Sequence, residues 1–313
     1  MNTFVIRQFR RTDREQVTGL VNAHIAAVLP GCAVPVKTVL NQFEREPGEF
    51  IVDPWVAERK VLVAEQSGAI VAAALLHRYA DRTDVGPQLR GAGGVRWLVF
   101  WPSAPRGNPH WNDGLEAADS LLLSSIQQLV EWSCSTCFAD GSLPAPGIYG
   151  VPEQWPHVDA LYRRNGFAPL RTETVFGAHL SNVPTSSPLA PIQGLDLRRT
   201  VGINGTRFSA VLDGRRCAYI EVERLDQPER NIGPALSDIG NLWIDDEFQR
   251  RGVGTWLLGA AMNWLKDGGA HILLSYCAPE ESGTIAFLRR NGFDTMTTTG
   301  CQWVKTTPKV EAA

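Results

Sequence analysis

The stretch that decides the fold is Leu242-Trp-Ile-Asp-Asp-Glu-Phe-Gln-Arg-Arg-Gly-Val-Gly-Thr255. An apolar run ends in an acidic turn, two arginines and two glycines follow, and an amphipathic segment from Trp256 to Lys266 comes next. This order predicts a strand, a glycine loop and a helix. The N-terminus of a helix attracts phosphate because it carries free backbone N–H groups and a partial positive charge. We therefore expect the loop to bind a cofactor that carries a pyrophosphate.

The residues of the loop suit an anion. Gly252 and Gly254 let the backbone approach closely, because they have no Cβ, and Arg250 and Arg251 add charge that can pair with phosphate. The loop lacks the Lys-Ser/Thr ending of a P-loop and the third glycine of a dinucleotide-binding fingerprint. No acidic residue for a ribose follows at the right distance in a βαβ unit, so the sequence disfavours a dehydrogenase.

The same stretch resembles the Gln/Arg-x-x-Gly-x-Gly/Ala loop of the GNAT superfamily of acyltransferases. In that family the loop holds the pyrophosphate of acetyl-CoA, so the resemblance implies acetyl-CoA (coenzyme A) as the cofactor. It also implies that the strand before the loop offers backbone N–H groups to the thioester. The cofactor-binding residues predicted in this way are Leu242, Trp243, Ile244, Gln249, Arg250, Arg251, Gly252, Val253, Gly254 and Thr255.

A second motif occurs twice in the chain. The segment from Ala286 to Phe293 resembles the last helix of the family and the Gly-Phe that follows it. Its ending Arg-Arg-Asn-Gly-Phe is also found at the end of the segment from Ala160 to Phe167. A repeat of this length at the ends of two halves indicates an internal duplication.

The length of 313 residues is that of about two domains of ~150 residues. We predict a degenerate GNAT-like domain at 1–180, a linker rich in proline and serine at 181–193, and an acetyl-CoA-binding GNAT domain at 194–313. The fold class predicted is α/β (α+β), each domain being a mixed, mostly antiparallel central sheet flanked by helices. This tandem plan is similar to that of mycothiol synthase-like proteins.

Composition excludes several classes of partner. The formal net charge of −3 provides no basic field for nucleic acid, and no apolar run is long enough to predict a membrane span. The six cysteines are scattered, and Cys134-x-x-Cys137, on a helical pattern, has no second pair to complete a zinc site. We expect no metal, reduced cysteines and a cytoplasmic location.

The two halves differ in what they retain. Helices are predicted at 13–28 and 36–46 in the first half, whereas only 201–205 stands at the matching place in the second half. Conversely, the first half has the proline-containing segment from Trp101 to Pro109 where the second half has its glycine loop. Since proline lacks the N–H donor that an anion needs, we expect the first half not to bind acetyl-CoA.

The sequence offers several candidates for proton transfer. Glu221, Glu223 and Asp238 are the candidate bases, each weighed against an ordinary solvated carboxylate on a strand. The tyrosine that often serves as the acid in this family is replaced by Leu288 in the second half, although Tyr162 is at the equivalent place in the first half. Weaker candidates for roles in the site are Tyr276, His77, His110, His157, Trp101, Trp111 and Trp155.

Two functions stay open at this stage. One is an acetyl-CoA-dependent N-acetyltransferase that acts on an unidentified small-molecule or peptide amine by direct transfer in a ternary complex. The alternative is a non-catalytic acyl-CoA-binding pseudoenzyme or regulatory protein, which the missing tyrosine favours. Because the second half lacks the two helices that usually cover the acceptor, we expect its acceptor site to open toward the first half or toward a partner chain, and a homodimer is one such arrangement.

Overall fold

The computed structural model describes residues 4–44, 55–102, 114–145, 147–183, 189–225 and 233–305. The chain divides into two compact units, one formed by residues 1–172 together with 299–313 and the other by residues 173–298. These limits differ from the predicted boundaries at 180 and 194, because the strands at 167–179 and 294–305 each contribute residues to both units. The predicted linker 181–193 is described except for 184–188, and its described residues belong to the second unit.

The first unit contains an antiparallel sheet with helices packed against it. Strands β1 to β4 pair in chain order and antiparallel, and β5 then pairs parallel with β4. The end of the chain's last strand, β13 (Asp294–Lys305), pairs antiparallel with β5 and β6. The elements are β1 (Phe4–Gln8), α1 (Arg14–Val28), α2 (Val36–Phe43), β2 (Val56–Gln66), β3 (Ala69–Tyr79), β4 (Gly93–Phe100), α3 (Leu115–Glu131), β5 (Cys137–Ala139), β6 (Val151–Pro152), α4 (Pro156–Arg164) and the start of β7 (Phe167–His179).

The second unit repeats this plan without the first two helices. Strands β8 to β11 pair antiparallel in chain order, β12 pairs parallel with β11, and the end of β7 pairs antiparallel with β12. Between β8 and β9 there is only a tight turn, closed by the hydrogen bond from Gly202 N to Gly205 O. The elements are β8 (Asp196–Val201), β9 (Thr206–Leu212), β10 (Arg215–Arg224), β11 (Leu236–Ile244), α5 (Val253–Asp267), β12 (Ile272–Cys277), α6 (Ser282–Arg290) and the start of β13.

A β-bulge occurs at the same place in both units. In the first unit Leu75 pairs with Trp97 and Leu76 with Val95, which leaves Arg96 as the extra residue of β4. In the second unit Glu221 pairs with Asn241 and Val222 with Ile239, which leaves Gly240 as the extra residue of β11. Bulges redirect the strand that contains them. Their matching positions agree with the internal duplication predicted from the repeated motif.

The core of the second unit lies between its sheet and α5. Leu257, Leu258 and Ala261 of the helix are buried against Ile220 and Val222 of β10, among other apolar side chains. The neighbours of these β10 residues, Tyr219, Glu221 and Glu223, face the opposite side of the sheet because side chains alternate along a strand. That opposite side is the one from which the two helices are missing, and it carries the candidate bases.

Most predicted elements are present, and the errors lie near the end of α3. The helix predicted to run through Cys134 ends at Glu131, where Ser133 has a left-handed φ of 57°. Cys134 therefore lies in the turn and Cys137 on β5, a strand that the sequence did not predict. Before α4 the chain forms only the two-residue strand β6. The strands that follow α4 and α6, β7 and β13, are each single and long.

The mixed, mostly antiparallel sheets flanked by helices confirm the predicted fold class. None of the helices in the described ranges is long and apolar enough to cross a membrane.

Candidate functional site

The two parallel strands of the second unit separate after a short pairing. β11 and β12 are paired at Leu236–Ile272, Ser237–Leu273 and Asp238–Leu274. Beyond Asp238, β11 continues to Ile244 paired with β10, and β12 continues to Cys277 paired with β7. A fork therefore opens between β11 and β12, and the glycine loop follows the end of one of its arms.

The glycine loop has the backbone conformation that its sequence predicts. Arg250 and Gly252 both adopt left-handed φ angles, of 56° and 84°, and Gly252 is the residue before the first turn of α5. Only glycine adopts this conformation without strain. No side chain caps the start of α5. Its first N–H groups are therefore available to an anion at the end of a helix of 15 residues.

Gly254 is required for packing rather than for conformation. A Cβ at this position would lie 2.7 Å from Cδ1 of Ile244 and 3.3 Å from Cε2 of Phe287. The first turn of α5 can approach the end of β11 and the helix α6 only because Gly254 has no side chain. This close approach brings the N-terminus of α5 to the mouth of the fork.

The acidic turn before the loop has a structural role. Gln249 donates from Nε2 to Oδ1 of Asp246, at 2.8 Å, and to the carbonyl oxygen of Ile244, at 3.2 Å. Arg215 forms ion pairs with Asp245 and Glu247. These contacts hold the backbone between strand and helix, as predicted for turn residues, and they neutralise carboxylates near the loop.

The two arginines of the loop are exposed and differ in their contacts. Arg251 lies 5.7 Å from the ring of Phe248 and donates to the carbonyl oxygen of Glu247 at 3.4 Å. The Arg250 side chain has no hydrogen bond or ion pair to another residue in the described ranges. Both cations are thus on the surface beside the start of α5, where a phosphate would meet them.

The remaining predicted cofactor residues lie on both faces of β11. Leu242 and Ile244 pack against the core beneath α5. Trp243 is 42% exposed on the other face, with its ring 5.8 Å from that of Tyr219. Of the whole predicted set, only Thr255 lines a cavity of about 370 Å³ that runs beside α5. The assignment of these residues to acetyl-CoA stays a prediction.

Asp238 lies at the base of the fork, at its last paired position. Asp238 pairs with Glu223 of the neighbouring strand β10, and the two carboxylates face the side of the sheet away from α5. Partial burial, and second the nearby charge of Glu223, raise the pKa of Asp238 to about 6. A carboxylate with that pKa is a much better proton acceptor at neutral pH than an ordinary aspartate.

Glu221 has a different environment from that of Asp238. It is fully buried and accepts hydrogen bonds from Nε of Arg207, at 2.7 Å, and from the backbone N of Ile203 and of Asn204, both at 3.2 Å. Although burial opposes ionisation, these donors keep the pKa of Glu221 below its ordinary value. Its oxygens are occupied in holding the β8–β9 turn. The structure thus argues against the prediction that Glu221 is a base.

The tyrosine that the family often uses has no counterpart here at its usual place. Leu288 on α6 is 1% exposed in the core of the second unit. Tyr276 on β12 is half-buried and two residues beyond Leu274, so it shares a face with the residue paired to Asp238. Tyr162 in the first unit is fully buried and donates to the carbonyl oxygen of Asp140 at 2.9 Å, which is a packing role.

The predicted aromatic and histidine candidates of the first half are mostly structural. Trp155 is buried and donates from Nε1 to the carbonyl oxygen of His24 at 2.9 Å, so it does not line a pocket as predicted. His157 contacts His24 through their Nε2 atoms at 2.9 Å. His110, Trp111 and residues 103–109 of the predicted proline loop lie outside the described residues.

The described residues contain no group of three potential metal ligands, and all six cysteines are free.

Comparison with known proteins agrees with this geometry. The profile of the family described as "Acetyltransferase (GNAT) family" matches residues 186–293, which include the fork, the glycine loop and α6. The match is to a GNAT acetyltransferase domain at residues 186–293 of this chain. Enzymes of the GNAT family act on amines.

The matches to individual proteins cover different fractions of this chain and of the matched protein. An uncharacterized N-acetyltransferase of Methanocaldococcus jannaschii is 32% identical over 59 residues, which are 19% of this chain and 26% of that protein. A glucosamine N-acetyltransferase region of a fungal multi-domain GH3 β-N-acetylglucosaminidase has a TM-score of 0.62 at 14% identity and covers 97% of this chain and 38% of that one. This chain thus spans well under half the length of each of these two proteins.

A third protein has the same extent as this chain. A tandem GNAT protein from the clavulanic acid biosynthesis pathway matches with a TM-score of 0.60 at 16% identity, over 96% of this chain and 97% of that one. At such low identity the likeness shows the fold alone.

Proposed function

We propose that this protein is an acetyl-CoA-dependent N-acetyltransferase whose second unit binds the cofactor and transfers the acetyl group directly to an amine. One observation carries the proposal: the fork between β11 and β12 opens beside the uncapped N-terminus of α5. A long thiol cofactor with a pyrophosphate at its middle fits this pair of features. The first N–H groups of α5 would hold the pyrophosphate, and the fork between β11 and β12 would receive the acyl arm, which supplies the thioester.

The residues present suit such a ligand. A helix of 15 residues without a side-chain cap, a left-handed glycine at its start and two exposed arginines form an anion site of the kind that phosphate groups occupy. The absent Cβ of Gly254 brings that site to the fork. Arg250 and Arg251 contribute charge, and the backbone provides the directional hydrogen bonds.

Asp238 is the proposed base. It lies at the base of the fork and faces the side of the sheet without helices, where an acceptor has access. The ionised carboxylate removes a proton from the ammonium form of the acceptor, and the neutral amine attacks the thioester carbon. As the C–S bond breaks, the nitrogen gives its second proton to water and the amide forms, while the thiolate takes a proton from water or from Tyr276. Glu223 beside Asp238 adds negative charge that attracts a cationic amine.

Binding and turnover are tested separately. Isothermal calorimetry of the full chain with CoA is expected to give one site per chain, because the uncapped glycine-loop site belongs to the second unit. Release of free thiol from acetyl-CoA in the presence of a panel of primary amines, amino acids and aminoglycosides is expected to identify an acceptor. Two equivalent CoA sites, or no CoA binding, would overturn the assignment of the cofactor to this loop.

The alternative is a non-catalytic acyl-CoA-binding protein. Leu288, buried in the core where the family often has a tyrosine, favours it. The two proposals differ in one result: the alternative predicts CoA binding with no amine-dependent thiol release from any member of the panel.

A further inference from the structure

The first unit contains a cavity of about 400 Å³ that has no part in the site described above. It lies at the ends of β3, β4 and β5, all within the first unit. A cavity of this size fits a small organic molecule. Most of its wall is apolar, with Phe138 at the side and Trp55, which is 43% exposed, where the cavity meets the surface.

His77 is the buried polar group in the wall of this cavity. It is 4% exposed, and its Nδ1 has no hydrogen-bond partner among the described residues. Its Nε2 lies 3.2 Å from Nε of Arg59, which can only donate. Nε2 is therefore the acceptor, and the ring proton of the neutral imidazole is on Nδ1. Burial, and then the charges of Arg59 and Arg96, lower the pKa of His77 to about 3, so the ring is neutral at ordinary pH.

Arg96 provides a second set of donors in the same wall. It is the extra residue of the β4 bulge, and its guanidinium makes no hydrogen bond or ion pair to another residue in the described part of the chain. Asp140 also lines the cavity, but its oxygens accept from the backbone N of Gly141, at 2.8 Å, and from Oγ of Ser142, at 3.2 Å. His77 Nδ1 and the Arg96 guanidinium are thus donors of this wall without a hydrogen-bond partner among the described residues, and the charge of Arg96 also acts on the carboxylate of Asp140, whose pKa burial raises.

The position of the cavity matches that of the candidate base in the second unit. In the first unit, His77 and Gly94 form the second residue pair after the β4 bulge. In the second unit, Glu223 and Asp238 form the second residue pair after the β11 bulge, so the two pairs occupy equivalent positions. Where the second unit has two carboxylates, the first has a histidine and a glycine. At this equivalent position of the sheet, the first unit therefore has a hydrogen-bond donor beside open space, where the second unit has two acceptors.

We propose that the first unit binds a small organic carboxylate with an apolar or aromatic body in this cavity. The carboxylate oxygens accept from Nδ1–H of His77 and from the guanidinium of Arg96, and the body of the ligand packs on Phe138 and Trp55. Binding supplies an acceptor to a buried donor that has no hydrogen-bond partner among the described residues, and a buried donor without a partner is unfavourable. This ligand is distinct in charge from the amine proposed for the second unit.

The test uses the full chain and simple probes. Benzoate, phenylacetate and hexanoate are titrated by calorimetry and by thermal shift, with benzamide and benzylamine as the neutral and cationic counterparts. We expect at least one carboxylate to bind and to raise the Tm, and benzamide and benzylamine to bind at least tenfold more weakly. No binding by any carboxylate, or equal binding by benzamide or benzylamine, would overturn the proposal.

Variants locate the ligand. Arg96→Met and His77→Phe are expected to lower the affinity of the best carboxylate at least tenfold, whereas His77→Gln, which keeps an N–H donor, retains part of it. Arg198→Met removes an exposed positive charge from the second unit, far from the cavity in sequence, and is expected to leave the affinity unchanged. If a variant fails to fold, the Nδ1–H resonance of His77 in the wild-type chain gives an independent test, since it must shift on titration. Unchanged affinity in Arg96→Met, or an unmoved resonance, would contradict the proposed site.

Discussion

Asp238 and Glu221 show how neighbouring strands give the same kind of group opposite roles. Glu221 is surrounded by donors and is held ionised in a buried ion pair with Arg207. Asp238 has a carboxylate neighbour and partial burial, so its ionised form is disfavoured. The first arrangement stabilises the fold, and the second makes a proton acceptor. This difference decides which candidate base the structure supports.

The pH dependence of transfer tests Asp238. Its pKa is raised to about 6, so the rate is expected to rise as pH increases through 6 and then to level off. Asp238→Asn is expected to abolish this rise of the rate with pH and to lower kcat by about 10²-fold or more. Glu223→Gln removes the repulsion between the two carboxylates, so the pKa of Asp238 falls and the rise of the rate with pH moves to lower pH. A pH–rate profile of the three proteins measures this, and an unchanged profile in Asp238→Asn would exclude it as the base.

The same pKa has a consequence for stability. A folded-state pKa above the ordinary value of 3.8 means that the ionised carboxylate destabilises the fold at pH values above 6, and that this effect disappears below the ordinary value. Asp238→Asn is therefore expected to raise the Tm at neutral pH and to change it little in acid. Thermal melts across the pH range measure the effect, and a lower Tm at neutral pH would contradict it.

Glu221→Gln tests the structural role of the buried glutamate. The amide of glutamine must face one of the three donors, and Arg207 loses its charge partner, so we expect a loss of about 2–4 kcal/mol in the free energy of unfolding. Because the pKa of Glu221 is lowered, the loss is present near neutral pH and shrinks in acid, below the ordinary value of 4.5. Urea unfolding measures it. The exposed change Glu280→Gln, in the loop before α6, is the control, with an effect within about 0.5 kcal/mol.

At the scale of elements, the glycine loop depends on two glycines for separate reasons. Gly252 supplies the left-handed turn that starts α5, and Gly254 allows the helix to contact Ile244 and Phe287. Both conditions must hold for the first N–H groups of α5 to lie at the mouth of the fork. The loop sequence predicts the turn, but the need for close packing at Gly254 is apparent only from the contacts.

Gly254→Val tests the packing. The added side chain must displace Ile244 or the start of α5, and overpacking of this kind costs about 1–3 kcal/mol. We expect the CoA-induced rise in Tm to be lost or strongly reduced, with at least about a tenfold loss of CoA affinity. Gly283→Ala on α6, where an added Cβ meets nothing within 4 Å, is the control. Wild-type CoA affinity in Gly254→Val would separate the helix start from the cofactor.

At the scale of the whole molecule, the first compact unit is not contiguous in sequence, and the second begins inside β7 and ends inside β13. The second unit needs residues 173–179 of β7, which pair with β12, and the first unit takes residues 299–305 of β13. A boundary placed in the proline-containing linker therefore separates β12 from its partner. It also removes Phe176 and Ala178 from the core of the second unit.

Two fragments test this division. Residues 173–298 are expected to be soluble, to melt cooperatively and to bind CoA. Residues 194–313 are expected to aggregate, because β12 is left as an exposed edge and apolar core residues lose their cover. Size-exclusion chromatography and thermal melts compare the two. A soluble, cooperatively folded 194–313 fragment would show that β7 is dispensable and that the linker is the true boundary.

The sequence by itself determined the glycine loop, the repeated motif and most of the helices and strands, because each rests on local chemistry. Glycine at a turn, apolar periodicity along a helix and the short turn at 201–205 act between residues near in the chain. The short strand β5 escaped prediction because three residues carry too little periodicity to distinguish a strand from a helix end.

Only the tertiary structure decided which carboxylate is surrounded by hydrogen-bond donors, where each unit begins and ends, and that His77 has an unpaired donor at a cavity. Each of these depends on groups far apart in sequence: Arg207 and the β8–β9 turn around Glu221, β7 beside β12, and Arg59 against His77. Burial and pairing set the charge of a group and the partner of a strand, and neither property is a function of the local sequence.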